Sequence, residues 1–276
     1  MNSIRNKWLI VPAFGWCLAL AGITGECSLS YGDIENFQDW TEIQDPPNGN
    51  LTAEVNSASQ VTFHALGGPI PAGTDIGFAS LNGYDVTTST SGWYFDPTQD
   101  FSIAIDYSLT FDSASGGFSI GMGIGEDIAG TDSAGILLAT QNGTPLSYAA
   151  AGRVDDADSG TTLLGLAAQD AARFIVDYTA ATGTISLGVS LDGDDVTEGS
   201  VDFVGFQDQW DDEGILVSFF ARGDNGIFNW SSGTADAVFS DFHVISGSPT
   251  AVPEPHSFAV LSLVTAGLIS LRRKRS

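Results

Sequence analysis

Between Phe101 and Phe111 the chain alternates without a slip. Phe101, Ile103, Ile105, Tyr107, Leu109 and Phe111 are apolar, while Ser102, Ala104, Asp106, Ser108 and Thr110 between them are small or polar. Successive side chains of a strand point to opposite faces, so this run is a strand with one buried face. A helix would scatter the same residues around its circumference. The pattern returns in Phe118, Ile120, Met122 and Ile124, spaced by Ser and Gly, and in Ile185, Leu187, Val189 and Leu191. Shorter strands are predicted at 61–66, 135–140, 173–178, 215–221 and 237–245. Asn82-Gly83, Asn142-Gly143, Thr182-Gly183 and Asp192-Gly193 supply turns between them. One short helix is expected around 164–173. Strands of this length and spacing predict an all-β fold, an antiparallel sandwich or barrel spanning residues 33–247.

Charge narrows the function classes. Residues 27–253 hold 32 acids and only Arg153, Arg173 and Arg222, which leaves −29 for that region. Such a surface repels nucleic acid and anionic membrane, and suits divalent cations or neutral glycans. The two cysteines, Cys17 and Cys27, lie in or beside the leader described next. The sandwich therefore has no disulfide and no thiolate metal site to lean on.

Both ends read as sorting signals. Residues 1–32 form a secretory signal peptide: Arg5 and Lys7 come first, then an apolar run over 8–23, then small residues. Gly25 and Cys27, or Ser30 and Gly32, fit the cleavage positions. An uncleaved anchor is the alternative, against which the run is short and holds Pro12 and Gly15. Residues 248–276 form the second signal. Val252-Pro253-Glu254-Pro255 is held extended by its prolines. Residues 258–271 carry no charge and partition into the bilayer as a short transmembrane helix. Arg272, Arg273, Lys274 and Arg275 stop transfer on the cytoplasmic side. At 14 residues the apolar run is below the roughly 17–25 of a full span, so His256, Ser257 and snorkelling arginines must complete it.

The three-part tail resembles the PEP-CTERM sorting signal of Gram-negative envelopes. The resemblance implies export, transient anchoring in the inner membrane, and removal of the tail by an exosortase that recognises Pro253, Glu254 and Pro255. It also implies a final place in the cell envelope or extracellular matrix, with exopolysaccharide as a partner. An ordinary tail anchor would insert in the same way without being cut. The strands at 100–111, 178–192 and 237–244 (DFSIAIDYSLTF, YTAATGTISLGVSLD, AVFSDFHV) resemble the concanavalin A-like, or laminin-G-like, antiparallel two-sheet jelly-roll sandwich. That resemblance implies two packed sheets with the first and last strands as neighbours.

Catalytic patterns are missing. The glucanases of that fold use Glu-x-Asp-x-x-Glu, which sets two carboxylates on one strand face. Here Glu42 and Asp45 are three apart and face opposite ways, so no enzyme is expected. Ser119 matches Gly-x-Ser-x-Gly but lies inside an alternating strand, where no nucleophile elbow forms. Gly121, Gly123 and Gly125 lack dinucleotide-loop spacing. His64 and His243 have no acid or histidine at ligand spacing. Three acidic loops could supply oxygen ligands to calcium: Asp192, Asp194 and Asp195 with Glu198; Asp155, Asp156 and Asp158; and Asp208, Asp211, Asp212 and Glu213. None fits an Asp-x-Asp-x-Asp-Gly loop. Among Trp93, Tyr94, Trp210 and Trp230 near strand ends, Trp93 and Trp210 are the candidates for stacking on sugar faces.

Two functions follow. One is a non-catalytic structural or adhesive protein of the exopolysaccharide matrix. The other is a lectin-like carbohydrate-binding module, with calcium as an optional cofactor. An exposed Trp93 or Trp210 on a concave sheet favours the second.

Overall fold

A computed structural model describes residues 34–154, 157–206, 209–210 and 214–252. The leader, the Pro-Glu-Pro motif, the apolar run and the basic cluster lie outside the described residues, as do Asp155, Asp156, Asp208, Asp211, Asp212 and Glu213. Among the described residues no helix is long and apolar enough to cross a membrane.

The strands in chain order begin with β1 (Thr41–Asp45), β2 (Leu51–Ser57), β3 (Gln60–Ala65), β4 (Asp75–Ala79) and β5 (Trp93–Tyr94). Four longer ones follow: β6 (Phe101–Ser115), β7 (Gly117–Gly125), β8 (Ser133–Gln141) and β9 (Thr144–Val154). Next come β10 (Ala157–Leu163), β11 (Ala171–Thr179), β12 (Thr184–Ser190) and β13 (Gly199–Phe203). The last are β14 (Leu216–Arg222), β15 (Ser232–Ser246) and β16 (Thr250–Ala251). Two seven-stranded antiparallel sheets result, ordered β1-β4-β14-β7-β8-β9-β10 and β13-β12-β11-β6-β15-β3-β2. β16 pairs only with β5.

Alternation does what it promised. Phe101, Ile103, Ile105, Tyr107 and Leu109 of β6 are buried and face Phe118, Ile120, Met122 and Ile124 of β7 across one core. An aromatic knot ties the sheets together. Phe219 of β14 packs on Phe63 of β3 at 5.9 Å and on Phe239 of β15 at 5.1 Å, and stacks on Phe78 of β4 at 5.6 Å. One polar link crosses the core. Tyr107 and Tyr148 meet hydroxyl to hydroxyl at 2.6 Å, and Tyr107 also donates to the Gln169 carbonyl at 3.2 Å. Burial pushes both phenols up, so they stay neutral donors.

One expectation is corrected. Residues 164–170 form no helix; they are an irregular extended segment leading into β11. Their carbonyls and amides are used instead to seat the tyrosine pair and β6, through Gln169 and through Leu109 N–H to Asp170 O at 2.7 Å. The first and last strands that the sequence predicted, at 61–66 and 237–244, are neighbours: β3 pairs with β15. β1 and β2, which precede them, lie at the edges of the two sheets.

Candidate functional site

The outer face of the sheet built on β7 is a groove floored by small residues. With Phe118, Ile120, Met122 and Ile124 in the core, the opposite side of β7 presents Gly117, Ser119, Gly121, Gly123 and Gly125. Register extends this floor sideways. One row runs Ile43, Gly77, Phe220, Gly121, Leu137, Ala149, and the next runs Ala79, Ser218, Gly123, Gly135, Ala151, Thr161. Glycine is needed here because there is no room above the backbone. A Cβ on Gly121 would stand 2.7 Å from Phe220 Cζ, and one on Gly77 3.1 Å from Phe220 Cβ. The Phe220 ring therefore lies over the glycine backbone instead of standing up from it. It is half-buried and is the aromatic residue of these rows.

Two adjoining depressions, about 170 and 340 Å³, share Phe220, Ser133 and Gly135. The larger is bounded by Arg222 at one end and by Arg153 and Asp158 at the other. Arg153 donates to the Gly130 carbonyl at 3.1 Å and stands 3.7 Å from Asp158. Arg222 Nε forms an ion pair with Asp75 Oδ1 at 2.9 Å. Asp224 lies 3.7 Å from Arg222 Nη2 and accepts from Gly73 N–H at 2.8 Å and Gly226 N–H at 2.9 Å. Burial pushes the Asp75 carboxyl up; Arg222 opposes this and the Asp224 charge adds to it.

The outer face of the other sheet carries a cluster of paired charges beside a depression of about 340 Å³ lined by Asp106, Leu191 and Ser240. Arg173 forks onto Asp106 at 2.6 and 3.1 Å and reaches Asp195 at 2.7 Å and Asp241 at 2.9 Å. His243 joins through Nε2 to Asp195 at 3.1 Å and Nδ1 to the Asp241 carbonyl at 2.8 Å. The Asp106 hydrogen bond holds Arg173 above its ordinary range. Desolvation pulls the Asp195 carboxyl up, but His243 and Arg173 outweigh it and hold it low. His64 likewise contacts Asp236 at 2.8 Å across β3 and β15. The acidic partners of both histidines come from neighbouring strands or a distant loop, which linear spacing cannot reveal.

The structure therefore separates the proposed calcium set. Asp192 and Asp194 gather with Glu198, their carboxylates within 4.8 Å of one another, while Asp195 turns away to Arg173. All three gathered acids are exposed and already cap the loop: Asp192 accepts from Asp194 N–H, Asp194 from Val196 N–H, Glu198 from Leu191 N–H. Three carboxylates offer up to six oxygens, and calcium takes six to eight.

The stacking candidates are corrected outright. Trp93 is 5% exposed and Trp210 1%, so neither offers a free ring face. Trp93 packs edge-on to Trp40 and Phe95; Trp210 packs on Tyr178 and Phe206 and donates to the Asp132 carbonyl. Trp230 is core as well. Ser119 donates to the Asp224 carbonyl from within β7 and is no elbow. The aromatic that does face the groove, Phe220, was missed. Its signal was present: with Val217, Phe219 and Ala221 turned inward, Phe220 must point outward, opposite a strand whose outward positions are glycine.

No known protein family matches the chain, and no curated protein does. Solved structures resemble it in part. A legume lectin-like domain from Entamoeba histolytica shares 11% identity at a TM-score of 0.44, over 75% of this chain and 97% of that one. The lectin UEA-II, solved with galactose, shares 10% at 0.40, over 75% and 95%. The Bacteroides ovatus protein described as Xyloglucan PUL GH43B shares 14% at 0.43, over 77% of this chain and 38% of its own. The chain itself is an all-β, two-sheet antiparallel sandwich.

Proposed function

We propose that this chain is an exported envelope or matrix protein whose sandwich binds glycan, without catalysis, in the glycine-floored groove. The observation that carries the reading is Phe220, laid over Gly121 in a trough of small residues. Sugar rings present CH-rich faces that rest on an aromatic π-face, and polar groups around such a platform fix their orientation. Arg153, Asp158, Thr161 and Arg222 supply those groups. The sequence lacks the Glu-x-Asp-x-x-Glu strand pattern, which supports binding over hydrolysis.

Phe220→Ala should leave the fold intact and weaken capture on a glycan array at least tenfold. Undiminished capture would sink the groove. Export and tail processing rest on the sequence. Glu254→Ala should leave the tail uncut, read as an unshifted mass in envelope fractions. Normal processing of that variant would remove the exosortase as partner.

A further inference from the structure

Register places one apolar line across all seven strands of the groove sheet. Ile43 of β1, Phe220 of β14, Leu137 of β8 and Leu163 of β10 share a row, with Gly77, Gly121 and Ala149 between them. Six strand spacings make the line about 29 Å long, and four put Leu163 about 19 Å from Phe220. Leu163 ends the line on an edge strand and is 64% exposed. The rows to either side, about 7 Å away along the strands, carry polar groups. One holds Asp75, Arg222 and Ser147; the other holds Ser218 and Thr161.

Resting on the glycan reading of the groove, we propose that it takes a neutral, equatorially linked polysaccharide, a flat ribbon of the β-1,4-glucan kind, laid across the strands along this line. A pyranose with equatorial substituents keeps its hydroxyls around the rim and shows CH bonds on both faces. Its face rests on Phe220, Leu137 and Leu163, and its rim reaches the polar rows. Equatorial linkage keeps successive rings in one plane, so one chain can follow a straight line of this length. An axial linkage curls the chain and lifts the next ring from the row.

Charge selects a neutral chain. Each arginine beside the line already faces a carboxylate: Arg222 faces Asp75 at 2.9 Å and Asp224 at 3.7 Å, and Arg153 faces Asp158 at 3.7 Å. The net −29 of residues 27–253 repels polyanions, and it repels a second copy of this chain, the other partner that an apolar line could take.

The test is calorimetric titration of the exported protein with cellohexaose and with maltohexaose, which share sugar, length and charge and differ in linkage. Wild type should bind cellohexaose at least tenfold tighter. Leu163→Ser should weaken cellohexaose at least threefold with the melting temperature unchanged, because the residue lies outside the core. Equal affinities, a preference for maltohexaose, no binding of either hexaose, or a Leu163→Ser variant that binds as wild type does overturns the proposal. So does a dimer in sedimentation that Leu163→Ser disperses, which would seat a second copy on the line. Another glycan captured in a Phe220-dependent way would then leave the groove standing. Phe220→Ala without effect on any glycan would remove the groove itself.

Discussion

Arg173 is nine-tenths enclosed by carboxylates drawn from β6, the 191–198 loop and β15. Removing it leaves Asp106, Asp195 and Asp241 facing one another. Arg173→Met should cost about 1–3 kcal/mol, since the partners keep some solvent but lose every donor they share. Urea midpoints would register this. The Asp195 carboxyl sits below its ordinary range in the fold. Its contribution is therefore present above the unfolded pKa of about 3.9 and is lost as pH falls through the folded value. The stability gap between wild type and Asp195→Asn should be open at pH 7 and close at strongly acid pH. A gap constant with pH would mean that ionisation is not what Asp195 contributes.

At the scale of elements, β7 shows what alternation can and cannot tell. Its apolar side was legible: Phe118, Ile120, Met122 and Ile124 could only be a core face. Its other side read as uninformative glycine, and its meaning emerged only when β14 laid Phe220 across it. Register that sets Phe220 against Gly121, 99 residues away, is not written in either strand alone. The tryptophans failed for a related reason. A large ring near a strand end fits the rim of a sandwich or its interior equally well by sequence, and Trp93 and Trp210 went inside. The 164–170 segment misled because its apolar residues serve a connection across the tyrosine pair, not a helical stripe. A bulkier floor gives an element-level test. A Cβ on Gly121 would lie 2.5 Å from the Ile136 carbonyl, a backbone atom that cannot step aside. Gly121→Val should lower the melting temperature and abolish glycan capture together, whereas Phe220→Ala should separate the two.

The whole molecule must hold together under a net −29 in residues 27–253, with no cysteine in residues 28–276 to cross-link the sandwich. Self-repulsion of this kind destabilises a compact state and is relieved by screening. Thermal midpoints should rise by several degrees between about 10 mM and 500 mM sodium chloride, where the Debye length shrinks from about 30 Å toward a few ångströms. A flat profile would show that the acids are compensated locally.

The pairing of β16 with β5 bears on how the body meets its surroundings. Val252 N–H bonds the Gly92 carbonyl at 2.9 Å, and the Val252 side chain is buried beside Leu81 and Leu216. Only residues 253–257 separate that stitch from the uncharged run at 258. Even fully drawn out, the leash from Val252 to Phe258 reaches about 20 Å. On the proposed reading, an uncut molecule would ride almost flush with the lipid. Once freed, it would carry a fastened end with no trailing strand for other proteases to seize.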